Sequence, residues 1–309
     1  MPSMWIDRWA PHAPTLVFGL LLLCLAGPAT AREIVDATGT QVDVPEQPQR
    51  VLALGERDLG AALALEVTPV GRLDGRGMSG APRYLGPAAE QIPSLGQFLQ
   101  PAMGRVIEAG PDLILAGGFT DARLIAQLRR IAPTVVTSTH DDDWKQSLER
   151  VAAALGRPDR LHRFMQRYQD RVAALRAELG DRAGETVSIV RWNPRGPMTM
   201  QRDAFASQVL ADVGLSRPPS QQQPGSAHTR PLSLEAMRRL NADWLYVGLL
   251  DAAPEAALAE ARRSAAFRTL PVVENGHAFG VDGALWTSRG GPLAALAILD
   301  TLQRTILGS

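Results

Sequence analysis

Short runs of uninterrupted apolar residues alternate along this chain with stretches whose apolar positions recur every three or four residues. The runs are Val51-Leu52-Ala53-Leu54, Leu113-Ile114-Leu115-Ala116 and Thr134-Val135-Val136-Thr137 in the first half. Val187-Ser188-Ile189-Val190, Trp244-Leu245-Tyr246-Val247 and Ala278 to Val281 follow in the second. A run with no polar alternation predicts a strand covered on both faces. Thr68-Pro69-Val70 adds a short strand stopped by Gly71, and Arg32 to Arg50 reads as a hairpin or a leader. Between the strands, Leu59, Ala62 and Leu63, then Leu124, Ile125 and Leu128, mark helices. So do Ala204 to Val213, a segment capped by Ser233 that runs to Leu240, and a last helix from Pro292 to Leu302. Strand-helix alternation predicts parallel, Rossmann-like sheets.

The pattern changes between Asp142 and Leu179, where only helical spacing is found. Trp144, Leu148, Val151 and Leu155 form one stripe, Gly156-Arg157-Pro158 breaks it, and Leu161, Phe164, Met165, Tyr168, Val172, Leu175 and Leu179 form the next. Pro158 suits a first helical position. A helix from there to Leu179 would extend roughly 33 Å at 1.5 Å per residue. The expected architecture is α/β: two Rossmann-like lobes joined by a long rigid α-helix, with a ligand cleft between the lobes. In residue numbers, 1–31 is a signal peptide, 32–140 the N-terminal lobe, 141–180 the helical connector and 181–309 the C-terminal lobe.

The signal peptide rests on Arg8, an apolar run from Thr15 to Ala26, and Ala29-Thr30-Ala31, a small-x-small site that places cleavage near Ala31. The run falls short of the ~20 apolar residues that span a bilayer. An uncleaved anchor and a lipid attached at Cys24 are the alternatives; Leu23 is a poor neighbour for lipidation. Cys24 is the only cysteine, so a chain cut after Ala31 has no disulfide and no thiolate site. The expected location is periplasmic.

The formal net charge is zero, which gives no support for a nucleic-acid partner. Lys145 is the only lysine, so every other basic residue is Arg. Codon usage accounts for such a bias, and so does a need for planar forks that grip oxyanions. The histidines after residue 31, at 140, 162, 228 and 277, have no metal-site spacing. Gly75-Arg76-Gly77-Met78-Ser79-Gly80 spells a dinucleotide motif. With Pro82 and Gly86 behind it and no helical stripe, it reads as a loop.

Several stretches resemble the siderophore- and cobalamin-binding proteins of ABC importers. They are Arg50 to Leu54 with Pro69-Val70-Gly71; Ile92 to Gly96, Val106-Ile107-Glu108 and Pro111 to Ile114; Ala154 to Arg157; Leu234-Glu235-Ala236 with Asn241 to Trp244; and Leu270 to Gly276, running on to Trp286 and Gly291 to Ala295. The set is in order and covers essentially all of the chain after residue 31. The resemblance implies a monomer that holds a ferric siderophore in the cleft, uses no cofactor, and docks on an ABC permease in the inner membrane. Docking in that family uses one carboxylate per lobe. Glu235 matches in the second lobe; the first-lobe position falls on Gly104, so Glu108, one turn on, is the candidate.

Ligands of open α/β sheets sit beyond the carboxyl ends of the strands. That rule nominates Arg57, Arg72, Arg76, Arg83, Tyr84, Gln97 and Phe98 in the first lobe. In the second it nominates Arg191, Trp192, Arg195, Trp286 and Arg289. Arginines with aromatic faces suit an anionic ferric chelate. For each arginine a solvated surface position is the competing reading, and for Trp192 and Trp286 a place in the core. Tyr84 as an axial ligand keeps haem open as the ligand, and cobalamin belongs to the same importer type. A secreted enzyme and a ligand sensor are the other classes. No G-x-S-x-G elbow is present to support an enzyme.

Overall fold

The computed structural model describes Met1 and residues 31–308, apart from Thr120, Asp141, Pro194 and Asp251. The proposed signal segment, with Cys24, therefore lies outside the described residues, except for Met1 and Ala31. In each lobe a four-stranded sheet forms the centre. The first has the spatial order Gly71–Arg72, Val51–Ala53, Leu113–Leu115, Thr134–Val135, all parallel. The second orders Met198–Thr199, Val187–Arg191, Trp244–Leu249 and Ala278–Asp282; its last three strands are parallel and Met198–Thr199 is antiparallel. The apolar runs form these strands because both faces are covered: Val51–Ala53, Leu113–Leu115 and Val187–Arg191 are buried at every position. Thr68 to Val70 precedes a strand instead of forming one. The ladder starts one residue later, at Gly71, where a Cβ would lie 2.5 Å from the Leu95 side chain.

The hairpin Ala31–Val35 with Gln41–Pro45 stands on its own antiparallel ladder. Arg32 ties it down by donating to the carbonyls of Ala153 (3.0 Å) and Ala154 (2.8 Å), at the end of the helix Trp144–Leu155. These are carbonyls that a helix C-terminus leaves without intrahelical donors. Gly156 ends that helix in the left-handed region at φ 64°. The connector helix Pro158–Leu179 follows, 22 residues long. It is straight-chain work for one amphipathic stripe: Phe164, Tyr168, Leu175 and Leu179 are buried.

One apolar cluster runs through both lobes and the connector. It contains Val51 and Leu113 of the first sheet, Val187 and Tyr246 of the second, and Trp144, Phe164 and Tyr168 of the helices. Trp144 meets Tyr168 edge to face at 4.9 Å. Smaller clusters complete each lobe separately. The lobes are thus fixed on a common core. Among the described residues, no helix is long and apolar enough to cross a membrane.

Replacing Arg32 with Ala should loosen the hairpin at its first strand while Val42 and Val44 still hold the second strand in the core. Amide exchange within 31–45 should then accelerate by about tenfold while the sheet amides keep their protection.

Candidate functional site

The first sheet reverses its winding between Val51–Ala53 and Leu113–Leu115, since one of its crossovers goes to either side. Such a switch point opens a crevice at the strand ends. Here it holds Gly55 and Glu56 from one strand end and Gly117 and Gly118 from the other. The cavity, about 350 Å³, is completed by Arg57, Arg76, Phe98, Leu99, Ser138, His140 and, from the second lobe, Arg289.

Three consecutive residues at the start of the helix Glu56–Ala64 build it. Asp58 is fully buried. Its carboxylate accepts the N–H of Gly55 (3.0 Å), the N–H of Gly117 (2.7 Å) and the Thr137 hydroxyl. It therefore clamps the ends of three neighbouring strands. Burial pushes its pKa up, and those three donors pull against that rise. A Cβ on Gly117 would lie 2.5 Å from the Thr137 hydroxyl and 2.8 Å from the Asp58 carboxylate, so the clamp requires glycine there. Arg57 points the other way, donating to the carbonyl of Gly290 in the second lobe (3.1 Å) and that of Asp142 before the connector (3.1 Å). Burial lowers its pKa to about 10, with the charge of Arg289 adding to the effect.

Glu56 faces the cavity and accepts the backbone N–H of Arg76. Burial raises its pKa; the Arg76 N–H and the guanidinium charges of Arg76, Arg191 and Arg289 oppose the rise. Arg76 lies over the Phe98 ring, 4.6 Å from its centre. Phe98 and Leu99 form the two-residue tip of the hairpin Gly96–Gln97 with Gln100–Pro101. Leu99 adopts φ 55°, a strained conformation for a branched side chain, and this tip projects both residues into the cleft. Arg289 meets His140 across the lobe boundary. On the same boundary Arg83 pairs with Asp282 at 3.2 Å and donates to the Ala252 carbonyl.

Of the residues nominated from sequence, the structure brings Arg57, Arg76, Phe98 and Arg289 to one cavity. The others diverge. Arg72 is a correction: it is 3 % exposed and folded into the first lobe on the Ala89 carbonyl, Asp74 and Glu90. Trp286 is a second: it is 1 % exposed and stacked on Tyr246 with ring centres 4.4 Å apart. Arg191 is buried behind the cleft, holding the hydroxyl and carbonyl of Thr287. Trp192 packs edge to face on Phe267 at 5.4 Å and, with Arg195, lines a separate groove of about 390 Å³ on the second lobe. Gln97 is exposed beside the cavity, Arg83 bridges the lobes, and Tyr84 packs against the core. Burial, with Glu56 and Asp282 nearby, pushes the Tyr84 phenol far above its usual range, and Tyr84 is not among the residues that line the cavity.

The strand-end rule would also reach Gly117, Gly118, Ser138 and His140, had it been applied to every strand, and Glu56 stands beside Arg57 at a strand end it did use. The motif-like glycines at 75, 77 and 80 form a loop that opens no α-helix directly; a 3₁₀ turn at Arg83–Leu85 and the four-residue helix Pro87–Glu90 come later, and the loop carries Arg76. Among the described residues, no group of three or more His, Cys, Asp or Glu could hold a metal. A larger hollow, about 510 Å³, lies along the connector, where Asp212 already satisfies Lys145 (2.8 Å) and Tyr168 (2.7 Å).

Residues 70–285 match the model of a family described as periplasmic binding protein. The chain belongs to that family. It is 28% identical to the probable siderophore-binding lipoprotein YfiY of Bacillus subtilis, over 89% of this chain and 88% of that one. It is 27% identical to the achromobactin-binding periplasmic protein of Dickeya dadantii, over 94% and 93%. Among solved structures, Staphylococcus aureus SirA complexed with staphyloferrin B superposes with a TM-score of 0.75. That match, at 23% identity, covers 89% of this chain and 98% of the other, and it shows a shared fold. The two-lobed binding-protein architecture read from the sequence is therefore the one adopted.

Asp58→Asn keeps the size of the side chain and can keep both backbone N–H groups on its oxygen, but it loses the charge that strengthens those bonds and sets an amide N–H2 against the Thr137 hydroxyl. It should cost about 1–3 kcal/mol of stability, read by denaturant unfolding. Trp286→Ala should act on the core, lowering stability by about 3–5 kcal/mol.

Proposed function

We propose that this binding protein captures an anionic ferric siderophore outside the inner membrane and delivers it to an ABC permease. The observation that carries this reading is the convergence of Arg76 and Arg289 with the Phe98 ring on one cavity between the lobes, where Arg57 stands in the wall and holds the second lobe. Guanidinium forks make charge-assisted hydrogen bonds to carboxylate and catecholate oxygens, and an aromatic face covers the apolar part of a chelate. The siderophore names carried by its relatives point to the same cargo. The family consists of substrate binders, and we read this chain as a carrier without catalytic activity. Its first 31 residues act as the export signal.

The two carboxylates expected at the permease support the reading from the surface. Glu108 and Glu235 are both exposed, one on each lobe. Each follows an exposed aliphatic residue, Ile107 at 60 % and Leu234 at 66 %. Exposed apolar residues rimmed by charge fit a protein contact. The protein acts as a monomer with these two knobs free.

The test is calorimetric titration with ferric citrate, a ferric catecholate, a ferric hydroxamate, haem and cobalamin, each beside its iron-free form where one exists. An anionic ferric chelate should bind at one per chain. Arg76→Ala and Arg289→Ala should each weaken it by about 10- to 100-fold with the fold intact. Binding of haem or cobalamin alone would change the cargo, and binding of none would end the siderophore reading.

A further inference from the structure

The cavity that gathers the arginines also contains a carboxylate. Glu56 stands at the helix start, in the wall of the cleft, with its Oε1 held by the Arg76 N–H. Its position is fixed from behind, because the next two residues are locked: Arg57 to the second lobe and Asp58 to the strand ends. The groups around it come from every neighbouring element. Arg57 and Asp58 are on its own helix, Arg76 is on the glycine loop, and Tyr84 follows that loop. His140 and Asp142 lie before the connector, and Arg191, Asp282 and Arg289 come from the second lobe.

An anionic ligand brought to Arg76 and Arg289 therefore meets Glu56 at the same place. Two negative groups sharing one desolvated site do not both keep their charge. The ligand's oxygens have the stronger claim on the guanidinium groups, since the chelate is also held by its bulk against Phe98. The carboxyl in the wall is the group that can yield, by taking a proton from solvent and turning from acceptor to donor.

We propose that Glu56 is the specificity-determining residue of the cleft, an internal counter-ion for the arginines that takes up a proton when an anionic chelate enters. Without ligand it balances the cationic wall and keeps Arg76 in place. With ligand it becomes a neutral hydroxyl that donates to the chelate. A neutral chelate does not displace its charge, so the residue sorts ligands by charge. This inference rests on the anionic-chelate reading above and says what admitting such a ligand requires of the cleft.

The experiment is titration calorimetry of the full protein with ferric citrate and with ferric staphyloferrin B near neutral pH, in buffers of different ionisation enthalpy. The slope of apparent enthalpy against buffer enthalpy counts protons. The wild type should take up a substantial fraction of one proton per chelate, and its affinity should weaken as pH rises. In Glu56→Gln the count should fall to zero and the affinity should become flat with pH, about tenfold tighter than wild type at pH 8. His140→Gln is measured in parallel, since that ring also stands in the cavity wall. A neutral ferric hydroxamate, if bound, should show no uptake in either protein. Binding by the wild type with no proton uptake overturns the proposal, as does uptake that survives in Glu56→Gln or disappears only in His140→Gln. The wild-type count stands even if a variant fails to fold. Absence of binding by both anionic chelates would instead remove the anionic-chelate reading, and this inference with it.

Discussion

The buried carboxylate of Asp58 is the constraint on which the cleft depends. A parallel sheet delivers its strand ends to one edge, but nothing in the ladder itself fixes how the loops leave that edge. Asp58 fixes them by accepting from the backbone of Gly55 and Gly117 and from the Thr137 hydroxyl. A buried carboxylate is costly unless its lone pairs are filled, and here the filling groups are the loops that make the binding wall. The demand for satisfied hydrogen bonds thus becomes a demand on the shape of the site. Glycine at 55 and 117 is a corollary, since a side chain at either would meet Asp58 within 3 Å.

The second lobe is joined to this wall through arginines bound to carbonyls, to one carboxylate and to one imidazole. Arg57 reaches Gly290, Arg83 reaches Asp282 and Ala252, and Arg289 reaches His140. Together with the apolar cluster that passes through both sheets and the connector, they leave the lobes few ways to separate. A cleft of this kind gains affinity from being formed in advance, because little ordering remains for the ligand to impose.

Much of the fold was legible in the sequence because uninterrupted apolar runs and one long helical stripe have few structural interpretations. What stayed hidden had weak local signals. Met198–Thr199 is a strand of two residues, and Pro254–Ala261 is an alanine-rich helix with little contrast between its faces. The site was half legible. The strand-end rule led to loops that line the cavity, yet it could not say which arginines turn inward to serve the protein, since the partners of Arg57 and Arg191 lie 233 and 96 residues away. Trp286 misled for a related reason. Its neighbours Thr287 and Ser288 look like surface residues, but both are buried, and Thr287 is satisfied by Arg191 and by the Gly283 carbonyl.

The anchoring of Arg57 has a consequence for how the protein responds to its surroundings. Its partners at Gly290 and Asp142 are peptide carbonyls, which carry no formal charge and do not titrate. Ionic strength screens contacts between exposed charges far more than it does a buried dipole contact. The part of the frame that Arg57 holds should therefore stay the same across media of different salinity while the field inside the cleft changes. Capture becomes tunable by the medium, and the geometry of the carrier does not.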